Sequence, residues 1–148
     1  MTDGSRLERG IRVYAETFGV DEEALPGVFA DRVGSRFAQE AIFAAGGPAW
    51  NDTALDDRSR SVAILTALIC QGVRGDRLSS HLERAVRAGL DQPALEVLTV
   101  LLSLYVGQAR TSLAAEDIHA FFIDRTAHER ESRGQEGTAT PWPSSGRA

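Results

Sequence analysis

Residues 74–90, RGDRLSSHLERAVRAGL, place His81 one helical turn after Arg77. A histidine titrates near neutrality and can give or take a proton. An arginine one turn away can hold a carboxylate, and its charge lowers the pKa of a neighbouring imidazole. His81 follows Leu78 by three and precedes Ala85 by four, which sets it at the edge of a buried stripe. Two readings are open. His81 moves a proton in a cleft between helices or subunits, or it is a partly buried side chain satisfied by a carbonyl, Glu83 or Asp76. The pattern alone favours the second.

Other residues carry the same double reading. Arg58 and Arg60 open an apolar helix, where positive charge opposes the helix dipole. Either a salt bridge to Asp56 or Asp57 or a substrate anion explains them. Trp50 and Tyr105 line a pocket, or are core and interface aromatics. Cys70, inside an apolar helix, reads as a small core residue. His119 and His128 read as surface residues on the last helix.

The elements that must position these side chains are helical. Leu7, Ile11, Tyr14 and Phe18 recur at spacings of three and four, and Gly19 can end that helix. Val28, Val33, Phe37, Ala41 and Ala44 predict one further helix, stopping at Gly46-Gly47-Pro48. GPAWNDTAL reads as a loop. Asp56 or Asp57 then caps a helix to about Gly72, and Asp91, with Pro93 in the first turn, caps another. Between them lies an amphipathic helix with Leu78, Leu82, Ala85 and Val86 on one stripe, ended near Gly89. A final helix turns polar, and from about Arg133 the chain is rich in Pro, Gly and Ser. That composition predicts a disordered tail, with Trp142 incidental to it. No repeat and no period-two strand pattern stands out.

Bulk properties exclude several functions. The 148 residues suit one domain with a real core. Apolar residues make up 43% and charged residues 25%, as in an ordinary globular protein. A net charge of −5 argues against a nucleic-acid surface, which needs clustered positive charge. A helix-turn-helix reading of 76–98 fails for the same reason, because its second helix lacks basic or amide side chains to read a groove. All 16 basic residues are arginine, so no lysine Schiff base can form. One cysteine allows neither an intrachain disulfide nor a CxxC pair, and with three histidines no zinc site is expected. The polar N-terminus does not resemble a secretion signal, and the longest apolar runs are about half a membrane span. A cytoplasmic protein is expected. Residues 60–71 and 94–106 are apolar almost all round, which predicts burial against neighbouring copies.

Residues 6–120 resemble the carboxymuconolactone decarboxylase family. The matching features, in order, are RLERGIRVYAETFG (6–19), Trp50, LDDRSRS (55–61), LSSHLERAVRAGL (78–90), Glu96 and YVG (105–107). The resemblance implies an all-α fold that assembles into trimeric or hexameric rings. It implies cofactor-free loss of carbon dioxide from a lactone acid of aromatic-compound breakdown. A sister branch uses a CxxC pair as a thiol reductant, and this chain lacks that pair. The chain differs from the family pattern at Arg77, where an acidic residue is usual, and at Tyr14-Ala15, where a basic pair is usual. Asp52 and Thr53 stand in place of an arginine and a proline, and Gln108 or Ala109 in place of a proline.

Residues 1–132 are therefore expected to form a single-domain, all-α bundle of about six helices, assembling as a homo-trimer or homo-hexamer. The expected activity is cofactor-independent decarboxylation of a small carboxylated lactone. His81 would handle the proton and Arg77 the anion, with Trp50, Arg58, Arg60 and Tyr105 binding substrate. Neither metal nor cofactor is expected, and neither nucleic acid nor membrane is an expected partner. Two alternatives remain: a different proton transfer, isomerisation or lactone opening on the same scaffold, and a non-catalytic oligomeric ligand-binding protein.

Overall fold

The computed structural model describes residues 3–136, with side chains through Arg133. It holds eight helices and no strand among the described residues. In chain order they are α1 (Asp3–Phe18), α2 (Leu25–Val33), α3 (Ser35–Ala45), α4 (Pro48–Asn51), α5 (Asp57–Gln71), α6 (Asp76–Arg87), α7 (Gln92–Val106) and α8 (Gln108–Glu136). No helix among them is long and apolar enough to cross a membrane.

The capping expectations hold where the chemistry is local. Asp56 accepts the amide of Ser59 at 2.6 Å and Asp91 that of Ala94 at 3.0 Å, which starts α5 and α7 at those aspartates. Two expectations need correction. The single helix expected through 28–44 is broken into α2 and α3 by Gly34, at φ 86° and ψ 145°. Only glycine takes that conformation cheaply, and the apolar spacing continues across the break, so the period did not disclose it. GPAWNDTAL contains a helical turn, α4, begun at Pro48. With these changes the expected six helices become eight. The last helix runs past Arg133 to Glu136, and residues 137–148, including Trp142, lie outside the described residues.

Two apolar clusters carry the fold. Ala15, Leu25, Phe29, Ala38 and Ile42 join α1 to α3. Leu65, Ile69, Leu78, Leu82, Leu95 and Ile118, each at most 1% exposed, centre the larger cluster of α5 to α8. Each such side chain contributes about 1.5–3 kcal/mol relative to exposure. Of the periodic stripe on α6, Leu78, Leu82 and Ala85 are inaccessible and Val86 is half-buried.

Polar ties hold α6 in place between the clusters. Arg74, just before it, forms a two-pronged pair with Asp117 on α8 at 2.9 and 2.6 Å. Glu83 accepts from Arg125 of α8 at 3.0 Å. Arg84 and Arg87 reach across to α1. Close packing ties α1 to α3: Gly10 lies so near the Ile42 carbonyl that a Cβ there would sit 1.7 Å from its oxygen.

The two strongly apolar helices fare differently. Within one chain α5 buries Leu65 and Ile69 and leans Val62 and Leu68 on the core. On α7 a stripe remains uncovered: Val97, Val100, Leu101, Leu104 and Tyr105 are 66, 65, 49, 78 and 82% exposed.

Candidate functional site

A cavity of about 510 Å³ opens between α1–α4 and α6, within the range of small-molecule sites. Its α1–α3 wall is aromatic, formed by Tyr14, Phe18, Phe29 and Phe37. The first three touch one another, with ring centroids 4.6 to 5.7 Å apart. From α6 come Arg77, Ser80 and His81, and Trp50 enters from α4. Helical spacing explains the α6 contribution: positions 77, 80 and 81 share one face beside the buried Leu78–Leu82 stripe.

His81 is half-buried, and burial with the Arg84 guanidinium pushes its imidazole below the usual histidine value. The neutral ring is the form present at neutral pH. The sequence pointed to Arg77 as the charge acting on His81; the structure shows Arg84 in that role. Arg77 acts instead on Tyr14. Burial raises the Tyr14 phenol above its ordinary value, and the Arg77 charge offsets part of that rise. The phenol is therefore a neutral O–H facing the cavity. Arg77 is exposed and makes no ion pair or hydrogen bond among the described residues, and the His81 ring makes no hydrogen bond there either.

Trp50 is held from behind. Arg84 lies over its ring at 4.3 Å, a cation–π contact. The Arg84 guanidinium also donates to Thr17 Oγ1 at 3.3 Å and sits 3.7 Å from a Glu16 carboxylate oxygen. Arg60 fixes the segment that carries Trp50. Its guanidinium, 6% exposed as a residue, donates to the carbonyls of Ala49 (2.8 Å), Asp52 (2.9 Å) and Leu55 (2.7 Å) and to the Asp57 carboxylate (2.6 Å). Four of its five N–H donors go to this chain. Of the two alternatives at the start of α5, the structure shows the internal pair Arg60–Asp57.

The structure thus brings together His81, Arg77 and Trp50 and leaves the other expected residues elsewhere. Arg60 is not on the cavity wall, nor is Arg58, which is solvent-exposed. Tyr105 is on the uncovered stripe of α7. Cys70 is half-buried on α5, away from the cavity. His119 is exposed, and the exposed His128 contacts the Asp124 carbonyl at 2.9 Å. Among the described residues no cluster of histidine, cysteine and acidic side chains could hold a metal.

Sequence reasoning missed Arg84 and the Phe18–Phe29–Phe37 wall. Arg84 had a signal, since it lies three residues after His81 on the same helix. The aromatic wall had none, because its members come from three helices. A larger, more open groove of about 1060 Å³ runs between α6 and α8. It shares Thr17, Phe18, Arg32, Asp76 and Ser80 with the cavity but lacks His81 and Arg77, so the smaller cavity holds the candidate chemistry. No family model, no curated protein and no solved structure matches the chain.

Proposed function

We propose that this chain is a cofactor-independent lyase of the carboxymuconolactone decarboxylase type, releasing carbon dioxide from a small carboxylated lactone in the cytoplasm. One observation carries the reading. His81 and Arg77, a turn apart and with no side-chain hydrogen bond among the described residues, open with Trp50 onto one aromatic-walled cavity.

The residues divide the reaction as follows. The bond between the carboxylate carbon and the ring breaks, and its electron pair passes into the conjugated lactone as a dienolate. Arg77 offsets the negative charge as it moves from carboxylate to enolate oxygen. His81 is neutral in the free protein. Binding of an anion favours its charged form, so the ring takes a proton from solvent as substrate enters. It then gives that proton to the dienolate carbon and returns to neutrality. The aromatic wall excludes water and strengthens these charge interactions.

A second reading has its own support. A neutral imidazole is poised as a base. It would remove a proton beside the lactone carbonyl and return it to another carbon, an isomerisation with no loss of carbon dioxide. In both readings the chain works as a ring of identical copies, a trimer or hexamer. The uncovered stripe on α7 supports this, because contiguous exposed apolar surface of that kind marks subunit contacts.

The test is a screen of carboxylated lactones for carbon dioxide release, with His81→Asn as the control. Release that the substitution abolishes, in a protein that still folds, supports the lyase. Double-bond migration without gas selects the isomerase. Turnover unchanged in His81→Asn dismisses the proton role.

A further inference from the structure

We propose that the Tyr14 hydroxyl is a further catalytic group, the donor that holds the ligand oxygen on which negative charge develops. The inference deepens the proposed function and rests on the cavity being the substrate site.

Three residues of the cavity wall carry a hydroxyl: Tyr14, Thr17 and Ser80. Thr17 donates to the Val13 carbonyl at 2.8 Å and Ser80 to the Asp76 carbonyl at 2.7 Å. Each thus spends its single proton on its own helix, four residues back. Tyr14 makes no hydrogen bond among the described residues. No fully buried side-chain nitrogen or oxygen among them lacks a partner, so the Tyr14 oxygen, which has none, reaches open space. The cavity is the space its residue lines.

Packing sets the direction of that hydroxyl. The Tyr14 ring lies against Phe29 and Phe18, with centroids 4.6 and 5.7 Å away, so it is held without a polar tie. A donor oriented before the ligand arrives needs no reorganisation during reaction. Charge completes the arrangement. Burial keeps the proton on the phenol at neutral pH, and Arg77 is close enough for its charge to act on the same group. An anion formed beside Tyr14 therefore also lies in the field of Arg77. A hydrogen bond to an oxyanion is roughly twice as strong as one to a neutral carbonyl. Tyr14 thus holds the dienolate oxygen more tightly than the lactone carbonyl it came from, and the difference lowers the barrier. No proton leaves Tyr14: its hydrogen stays on the phenol while His81 protonates carbon.

The experiment titrates the full chain and its Tyr14→Phe variant with two small unreactive probes at mildly alkaline pH, where Tyr14 keeps its proton and His81 is neutral. There 4-nitrophenolate is an oxyanion, and nitrobenzene is the same flat body without the oxygen. The substitution leaves the ring against Phe18 and Phe29 and removes no bond within the described chain, and a melting curve checks that the variant folds. Tyr14→Phe is expected to weaken 4-nitrophenolate by about 10- to 100-fold and to leave nitrobenzene unchanged. The visible band of the bound oxyanion should also move to longer wavelength in the variant, because its charge is then less tied to the oxygen. In lactone turnover Tyr14→Phe should lower kcat by about 10²–10³ with KM little changed. Equal weakening of both probes overturns the inference, since Tyr14 then only packs. Oxyanion affinity and absorption that ignore Tyr14→Phe overturn it too, as does a wild type that does not bind 4-nitrophenolate. The titrations need no turnover, so a Tyr14-dependent oxyanion site in a protein that releases no carbon dioxide keeps this inference and removes the lyase.

Discussion

Replacing Arg60 by methionine keeps an apolar stem of similar length and removes the guanidinium. Four hydrogen bonds disappear, to the carbonyls of Ala49, Asp52 and Leu55 and to Asp57. The Asp57 carboxylate is 74% exposed, so water replaces that partner and its share is small. The three carbonyls matter more. Bonds from a charged donor each contribute about 1.5–3 kcal/mol, but residues 49–55 flank solvent and recover part of this. A net loss of about 3 kcal/mol is expected, near the lower end for breaking a buried charged network. In a chain of this size that lowers the melting temperature by roughly 10 °C. Arg60→Lys should recover little, because an ammonium cannot span acceptors spread over residues 49–57. Urea unfolding followed by circular dichroism measures the loss, and Trp50 emission reports loosening of α4. A loss under about 1 kcal/mol, or a lysine variant equal to wild type, would refute the structural role. Weakened ligand binding at unchanged stability would instead restore Arg60 to the substrate.

Other outcomes are expected from the same contacts. As a lyase, the protein should show kcat/KM falling as pH rises through the free-enzyme pKa of His81, below its ordinary value; as an isomerase, kcat/KM should rise through it. The stability effect has one sign in both cases. Above the unfolded histidine pKa of about 6.5 the neutral buried ring costs nothing extra, whereas below it the unfolded chain binds the proton more readily. Stability should therefore decline as pH falls from there and level off below the folded pKa, and His81→Gln should remove this decline from urea curves recorded across the range. Gly10→Ala should destabilise by about 3 kcal/mol by forcing α1 from the Ile42 carbonyl, while Gly4→Ala, with nothing within 4 Å, should be neutral or slightly stabilising; thermal melts of the pair check both. Leu104→Glu should shift the protein to monomer in sedimentation with little loss of helix, since Leu104 is 78% exposed in the single chain. A wild type already monomeric there would remove the ring.

The sequence by itself determined the features that depend on neighbours along the chain. Asp56 and Asp91 start their helices because a carboxylate reaches an amide three residues on wherever the chain goes next. The stripe Leu78–Leu82–Ala85 goes inside because helical spacing puts it on one face. The same spacing placed Arg77 and His81 together. The break at Gly34 was less legible, since the apolar positions on either side keep a helical rhythm that one glycine does not disturb. The outcomes for the remaining charges were decided only in three dimensions. Arg60 and Arg77 are the same residue type, each near the start of a helix. One is surrounded by carbonyls of a turning chain, while the other is left beside an aromatic wall gathered from three separate helices. Hydrogen bonding and desolvation depend on what lies within a few ångströms. For these side chains the nearby groups come from distant segments, so packing ties one guanidinium into the fold and leaves the other on the cavity wall with no ion pair among the described residues.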